Sequence, residues 1–454
     1  MNKGRYSRSS NQMNSVCSGD ARAITALAGI GILVRIAIGL VYSPALFLDS
    51  PTYFTLAEQL RTADFSRYIG LRTPGYPLML ILCGSDPQIA VLAQAALGVA
   101  TSILLYMVAR QLSAGLTIAF LSGLIHSLSL NVLFFEASVL TEALSAFLVV
   151  LSVWLFMGLP QSKRPTVRVA CLGFVLAFAT LTRPVLVCLG PVYCFLLVWL
   201  GGWRAWRQAA TLGTAFASPV LGWVIFNQLV IGYFGLSTLL GISLTNHVGA
   251  FIERAPEQYA QVRDIYLKHR AEKVAETGSH AMTIFLARDE MMQELDMTFP
   301  QLSRTLTKLS TELIVAHPLL YARSVAEAWV SFWAAPLAYQ PDSFSSPSAA
   351  PLVLGTWRIE QPLIRVLNLG FVLASTAWLL VALRPRNWRV PIVWNPLAPA
   401  IVVWSVSVTQ ALLEFGDNPR YGVPTQSLAI LFLLSASNWG VQRHRAKPSF
   451  ARRS

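Results

Sequence analysis

The feature that most limits what this chain can fold into is a series of ten apolar stretches almost free of charge. They are residues 23–43, 88–109, 115–133, 138–158, 169–182, 184–201, 208–230, 363–383, 392–413 and 423–440. A helix crosses a bilayer with about 20 mostly apolar residues, and in hydrocarbon only a helix or a closed barrel satisfies its own backbone polar groups. The stretches therefore predict an all-α polytopic membrane protein with about ten transmembrane helices. Only 13% of the 454 residues are charged, roughly half the share of about 25% in soluble domains. That deficit excludes a soluble enzyme, a disordered regulator and an ordinary nucleic-acid reader. The net charge of +13 does not point to nucleic acid, because polytopic proteins keep Lys and Arg in their cytoplasmic loops.

The Lys and Arg distribution orients the chain. With the N-terminus inside, residues 1–22, 159–168, 202–207, 384–391 and 441–454, together with Arg110, hold 18 of the 35 basic residues against one acid, Asp20. Both termini are expected to be cytoplasmic. The organisation that follows is a basic tail (1–22), an N-terminal transmembrane module (23–230) with a first extracytoplasmic loop (44–87), and a large extracytoplasmic region (231–362). C-terminal transmembrane helices (363–440) and a second basic tail (441–454) complete it. Within the large region, the charged segment Arg254 to Lys308 predicts polar helices. Leu306 to Ala335 carries Glu312, His317, Arg323 and Glu327 and is expected along the interface, since another crossing would place 384–391 outside. No internal repeat is evident. The chain turns apolar near Ala23 without a small-residue cleavage site, so the first span is expected to stay uncleaved. Cys17, Cys83, Cys171, Cys188 and Cys194 form no CxxC and no His/Cys cluster, which predicts neither a disulfide framework nor a zinc site.

The residues with chemistry in them fall in the outer loops. In Leu48-Asp49-Ser50-Pro51-Thr52-Tyr53, Ser50 suits an N-cap and Pro51 a first helical position, and Tyr53, Leu56, Ala57 and Leu60 follow at helical spacing. Asp49 at that N-terminus is either a general base at the membrane surface or a second capping residue. Arg72-Thr73-Pro74-Gly75-Tyr76-Pro77 reads as a rigid turn that aims Tyr76, with Arg72 placed for an anion or for lipid headgroups. Glu142 lies inside the outer end of the fourth span, where a carboxylate is a functional candidate. Arg35 lies in the first span and is expected to face an acidic partner in the bundle. Leu181-Thr182-Arg183-Pro184 and Glu414-Phe415-Gly416-Asp417-Asn418-Pro419-Arg420-Tyr421 are turns dominated by arginine, whose forked donors suit phosphate oxygens. Both arginines are equally compatible with structural ion pairs. His247 and His317 read as structural.

This order of motifs resembles the polytopic glycosyltransferases of the GT-C superfamily, most of all the bacterial family 39-like members related to lipid A aminoarabinose transferases and protein O-mannosyltransferases. The motifs are an outer-loop Asp followed by Tyr, Arg-x-Pro-Gly-Tyr-Pro, Leu-Thr-Glu, Thr-Arg-Pro and a late Asn-Pro-Arg-Tyr, spread over residues 23 to about 440. The resemblance implies a bundle with its outer loops packed as a small helical cap, in a bacterial inner membrane with the active site periplasmic. It implies a polyprenyl-phosphate-linked sugar as donor and a lipid, glycan or protein acceptor, with no nucleic acid involved. Asp49 then matches the catalytic acid of the first loop. Arg72, Arg183 and Arg420 fall where the donor phosphate is expected, with Tyr53, Tyr76, Glu142 and Tyr421 in support. Asp49 has no second carboxylate two residues on, so the Asp-x-Asp metal site of some members is missing and no divalent metal or other cofactor is expected.

Two other classes remain open at the level of sequence. A lipid-linked oligosaccharide ligase or polymerase has similar hydropathy but keeps its catalysis in the large loop. A flippase or transporter needs a polar path, and apart from Arg35, His126, Glu142 and Arg365 the spans hold few ionisable residues.

Overall fold

The computed structural model of the protein describes residues 4–346, 348–384, 394 and 396–445. Among them the structure is helical, with two isolated β-bridges, Tyr42–Phe344 and Ala45–Ser138. The first half contains α1 (Gly4–Val41), α2 (Ser50–Thr62), α3 (Gly75–Leu82), α4 (Pro87–Gln111), α5 (Leu116–Leu128), α6 (Leu130–Glu136), α7 (Glu142–Met157), α8 (Pro165–Thr182), α9 (Leu189–Gly201) and α10 (Trp206–Ile231). The second half contains α11 (Leu239–Val248), α12 (Ala260–Thr277), α13 (Ile284–Glu294), α14 (Phe299–Ala316), α15 (Pro318–Phe332), α16 (Ala349–Ala382), α17 (Leu397–Leu413) and α18 (Asn418–Arg445).

Among the described residues every expected crossing falls on helical structure, 115–133 on two helices, but fewer of them meet the length and composition of a span. Six do: Gly19–Val41, Pro87–Gln111, Pro165–Thr182, Pro184–Gly201, Trp203–Ile231 and Ala349–Ala382. A seventh arises if α5 and α6, bent by 56°, count as one. The expected count of about ten is thus not reached among the described residues. Helix α7 has 16 residues and α17 has 17, so each rises only about 25 Å against a hydrocarbon core of about 30 Å. The remaining expected crossing, 423–440, is contained in α18. The bend between α5 and α6 has a physical cause. Glu360 of α16 accepts hydrogen bonds from Ser129 Oγ (2.6 Å) and Leu130 N (3.0 Å), so a carboxylate caps the new helix start. The fifth and sixth stretches are separate helices, joined by the 3-10 turn Pro184–Cys188.

The expected polar helices of the long region are α12, α13 and α14. His317-Pro318 breaks the Leu306–Ala335 stretch into α14 and α15, and neither qualifies as a span. Helices α11 to α14 share their own apolar core, with Ile242, Tyr266, Ile284, Met291, Leu302 and Leu306 buried in it. The larger bundle core lies apart, built mainly from α4, α7, α8, α17 and α18. The first loop is stitched to the long region at Gly70. Thr238 N donates to Gly70 O (2.9 Å), Thr238 Oγ1 to Ile69 O (3.0 Å) and Ser237 Oγ to Leu71 O (2.8 Å). Gly70 adopts φ +73°, and a Cβ there meets Ile231 Cδ1 at 2.5 Å, so the seam requires glycine.

The basic stretch expected in the cytoplasm at 384–391 lies, beyond Arg384, outside the described residues, as do residues 1–3, 446–454 and the Cys17 side chain. Cys83, Cys171, Cys188 and Cys194 are free thiols.

Candidate active site

The ends of α1, α8, α10 and α17 and the starts of α7 and α18 meet at one end of the bundle, and the site is assembled there. The strand-like connection after α1 is pinned to the turn before α7. Ala45 N donates to Ala137 O (3.0 Å) and Val139 N to Ala45 O (2.9 Å). Ser50 is buried rather than capping α2: its Oγ donates to Val139 O and accepts from Phe47 N, both at 2.9 Å. Asp49 occupies the N-cap position but makes no side-chain cap hydrogen bond. The expectation of Ser50 as cap and the capping alternative for Asp49 both give way, because other partners claim the two side chains.

The partners of Asp49 are arginines. Arg72 Nη2 donates to its Oδ1 at 2.5 Å and Arg420 Nη1 to its Oδ2 at 2.7 Å. Arg72 is held in turn by Thr52 Oγ1 (2.8 Å) and lies over the Tyr53 ring, 4.7 Å from its centroid. Arg420 Nε donates to Glu142 Oε1, and its Nη1 lies 3.5 Å from Asp417 Oδ2. Arg183 approaches Glu142 Oε1 at 3.5 Å and stacks 4.0 Å above the Tyr421 ring. The structure therefore brings together all eight residues singled out in the sequence, from four loops and helix ends. Tyr76 completes the floor: it is fully buried, packs edge-on to Tyr53 (5.0 Å) and donates to Gln94 Oε1 (2.8 Å). The expected rigid turn is instead the first turn of α3. Gly75 is needed there, since a Cβ meets Thr182 Oγ1 at 2.5 Å and the Leu181 carbonyl at 2.7 Å.

A polar cavity of about 60 Å³ opens among Asp49, Arg72, Arg183, Arg420 and Tyr421. Three arginines meet three carboxylates, Asp49, Glu142 and Asp417, so this cluster of side chains is balanced in charge. Glu142 has no exposed side-chain surface, whereas 30% of the Asp49 side chain is open. Glu142 Oε2 and Arg183 Nη1 are buried without a hydrogen-bond partner; Arg183 lines the polar cavity and Glu142 lies behind it. Burial alone raises the Asp49 carboxyl, but Arg72 and then Arg420 outweigh it and hold its pKa at about 2. Asp49 is thus ionised at any physiological pH, and strongly held.

A second, apolar cavity of about 290 Å³ adjoins the first and shares Pro184, Ser237, Leu239 and Tyr421 with it. Its walls include Val185, Val187, Phe234, Leu236, Leu240 and Leu413. Glu414, which also lines this cavity, accepts from Asn246 Nδ2 (2.7 Å), and burial pushes its pKa up to about 7. Among the described residues, no group of three or more His, Cys, Asp or Glu side chains could hold a metal ion.

Sequence reading left some partners unassigned. Arg35 pairs with Glu136, its Nε and Nη2 donating to the two carboxylate oxygens at 2.7 Å each. The only available signal was a lone carboxylate at the end of an apolar run. Thr73, Thr141, Thr182, Ser237 and Leu239 line the polar pocket and gave no signal, because hydroxyl and apolar residues abound throughout the chain. Arg365 does not join a path through the bundle, since it is exposed and donates to Ala334 O (2.9 Å). His247 is buried against Ser324 (2.8 Å) and His317 ends α14, structural positions as expected.

Comparison with known proteins agrees in kind. Residues 76–223 match the family model for dolichyl-phosphate-mannose-protein mannosyltransferase, about a third of the chain. The resemblance to GT-C-type glycosyltransferases therefore stands over the segment that holds Tyr76, Glu142 and Arg183; Asp49, Arg72, Arg420 and Tyr421 lie outside it. No curated protein sequence matches the chain. Among solved structures, the chain is similar to the archaeal oligosaccharyltransferase AglB from Archaeoglobus fulgidus, in complex with an inhibitory peptide and a dolichol-phosphate, at 13% identity and a TM-score of 0.47. That match covers 96% of this chain and 52% of AglB, so the chain spans about half the length of that protein.

Proposed function

We propose that this multi-pass membrane protein is a glycosyltransferase that moves a sugar from a polyprenyl-phosphate donor to an acceptor hydroxyl on the extracytoplasmic face. The observation that carries the reading is the pairing of two cavities: a polar pocket walled by Asp49 and three arginines, opening beside an apolar one through shared residues. A lipid phosphate has that same duality of head and tail. The charge distribution supports the outward face, and the family match supports the donor class.

In the reaction, the acceptor oxygen attacks the anomeric carbon and its proton passes to the Asp49 carboxylate. The bond between the anomeric carbon and the phosphate oxygen breaks, and its electron pair leaves with the lipid phosphate. Negative charge grows on that phosphate, and fixed guanidiniums stabilise it more in the transition state than before it. Arg420 and Arg72 supply donors from the Asp49 side, and Arg183, which lines the same cavity, supplies Nη1, which no group of the protein uses.

Asp49→Asn keeps the size of the side chain and removes the base. Transfer should fall by about 10²–10⁴-fold while the protein still folds, read with purified protein and a polyprenyl-phosphate sugar in detergent. Activity within a few-fold of the parent would move catalysis elsewhere, into the long 231–362 region of the ligase reading. The face is tested by single cysteines at the exposed positions Glu276 and Ser345 in a cysteine-free background. A membrane-impermeant maleimide should label both from outside; protection of both until the inner membrane is opened would reverse the orientation.

A further inference from the structure

The charge balance of the pocket poses a problem for the reaction just described, on whose reading this inference rests. Asp49 must act as a base, yet it is clamped between Arg72 and Arg420 at 2.5 and 2.7 Å. A carboxylate so held is a weak proton acceptor, and the same two guanidiniums are the ones a phosphate needs. We propose that Asp49 is masked by Arg72 and Arg420 until the donor binds, and that the donor phosphate unmasks it by taking over the guanidinium positions that Asp49 occupies.

The geometry selects Asp49 as the partner that is displaced. Each arginine has a second anchor that keeps it in place when Asp49 is exchanged. Arg72 keeps Thr52 Oγ1 and the Tyr53 ring, and Arg420 keeps Glu142, whose side chain is wholly buried. Asp49 is the carboxylate that bridges both arginines and is partly open to the cavity. Asp417, 3.5 Å from Arg420, is too distant to hold the guanidinium as firmly. An incoming phosphate oxygen therefore replaces two charge-assisted hydrogen bonds at the open side of the pocket and leaves the buried side intact. The freed carboxylate regains basicity at the moment the leaving group is in place. The device imposes an order, donor before deprotonation of the acceptor.

Competition predicts that removing the competitor strengthens phosphate binding. Asp49→Asn should bind farnesyl phosphate in detergent about tenfold more tightly than the parent, the lower end of what one or two charge-assisted hydrogen bonds are worth, although its transfer activity falls. Glu142→Gln removes the same charge from the buried side and should not tighten binding. Asp49→Ser, which removes the carboxylate and shortens the side chain, serves as the second Asp49 variant and should tighten binding likewise. Calorimetric titration reads all four proteins. Equal affinity in parent and Asp49 variants, weaker binding in the variants, or an equal gain in Glu142→Gln overturns the masking while leaving the glycosyltransferase reading in place. Failure of every protein to bind farnesyl phosphate removes that reading and the masking with it.

Discussion

Arg420 is the residue whose replacement tests the site most sharply, because its nitrogens do different work. Nε reaches Glu142, while Nη1 reaches Asp49 at 2.7 Å and Asp417 at 3.5 Å. No single ammonium occupies two such positions at once. In Arg420→Ala the donor to the departing phosphate is lost, and Glu142 is left with Arg183 at 3.5 Å. Losing a preorganised donor to a developing oxyanion costs about 2.7–4 kcal/mol, or about 10²–10³-fold in kcat. Arg420→Lys keeps the positive charge but loses the fork, and it should retain enough stabilisation to fall only about tenfold, since each tenfold is about 1.4 kcal/mol. The assay is kcat and KM for transfer from a polyprenyl-phosphate sugar, with folding checked by the thermal midpoint in detergent. Arg420→Ala within threefold of the parent, or indistinguishable from Arg420→Lys, would refute a forked role for this guanidinium.

Two further outcomes follow from the geometry. Arg35 and Glu136, with side chains 7% and 4% exposed, form a buried pair, so Glu136→Ala should lower stability by about 3–5 kcal/mol. The double variant Arg35→Met/Glu136→Leu should recover most of the loss, and thermal unfolding showing equal losses would refute the pairing. Glu414 binds its proton more tightly folded, at about 7 against 4.5. Stability linked to this group is therefore full below about pH 4.5 and is lost as pH rises through 7. Unfolding midpoints of Glu414→Gln should show a flatter decline over that window, and an unchanged pH profile would count against the buried carboxyl.

Several features of this protein were legible in the amino-acid sequence alone because they depend on local pattern. Apolar runs without charge dictate helices in a membrane, since lipid offers the backbone no partners. The polar, amphipathic segment after Arg254 dictates helices α12 to α14. The eight candidate residues were also visible as motifs, because Asp, Glu and Arg are conspicuous in a chain so poor in charge and the three tyrosines lie within a few positions of Asp49, Arg72 and Arg420. Pairing was not legible: nothing in the order of residues says that Arg420 reaches Asp49, 371 positions away, or that Arg35 meets Glu136. Those contacts depend on which helix ends share one end of the bundle, a consequence of packing. The length of the crossings was likewise decided by tertiary structure. Glu360 caps a break between α5 and α6, and α7 begins only at Glu142 because the preceding residues are drawn into pairing with Ala45. Most of all, the sequence marks Asp49 as an acid, but only the fold surrounds it with two guanidiniums. A carboxylate's basicity is set by the charges within a few ångströms of it, and of these two neighbours Arg72 lies 23 positions away and Arg420 371.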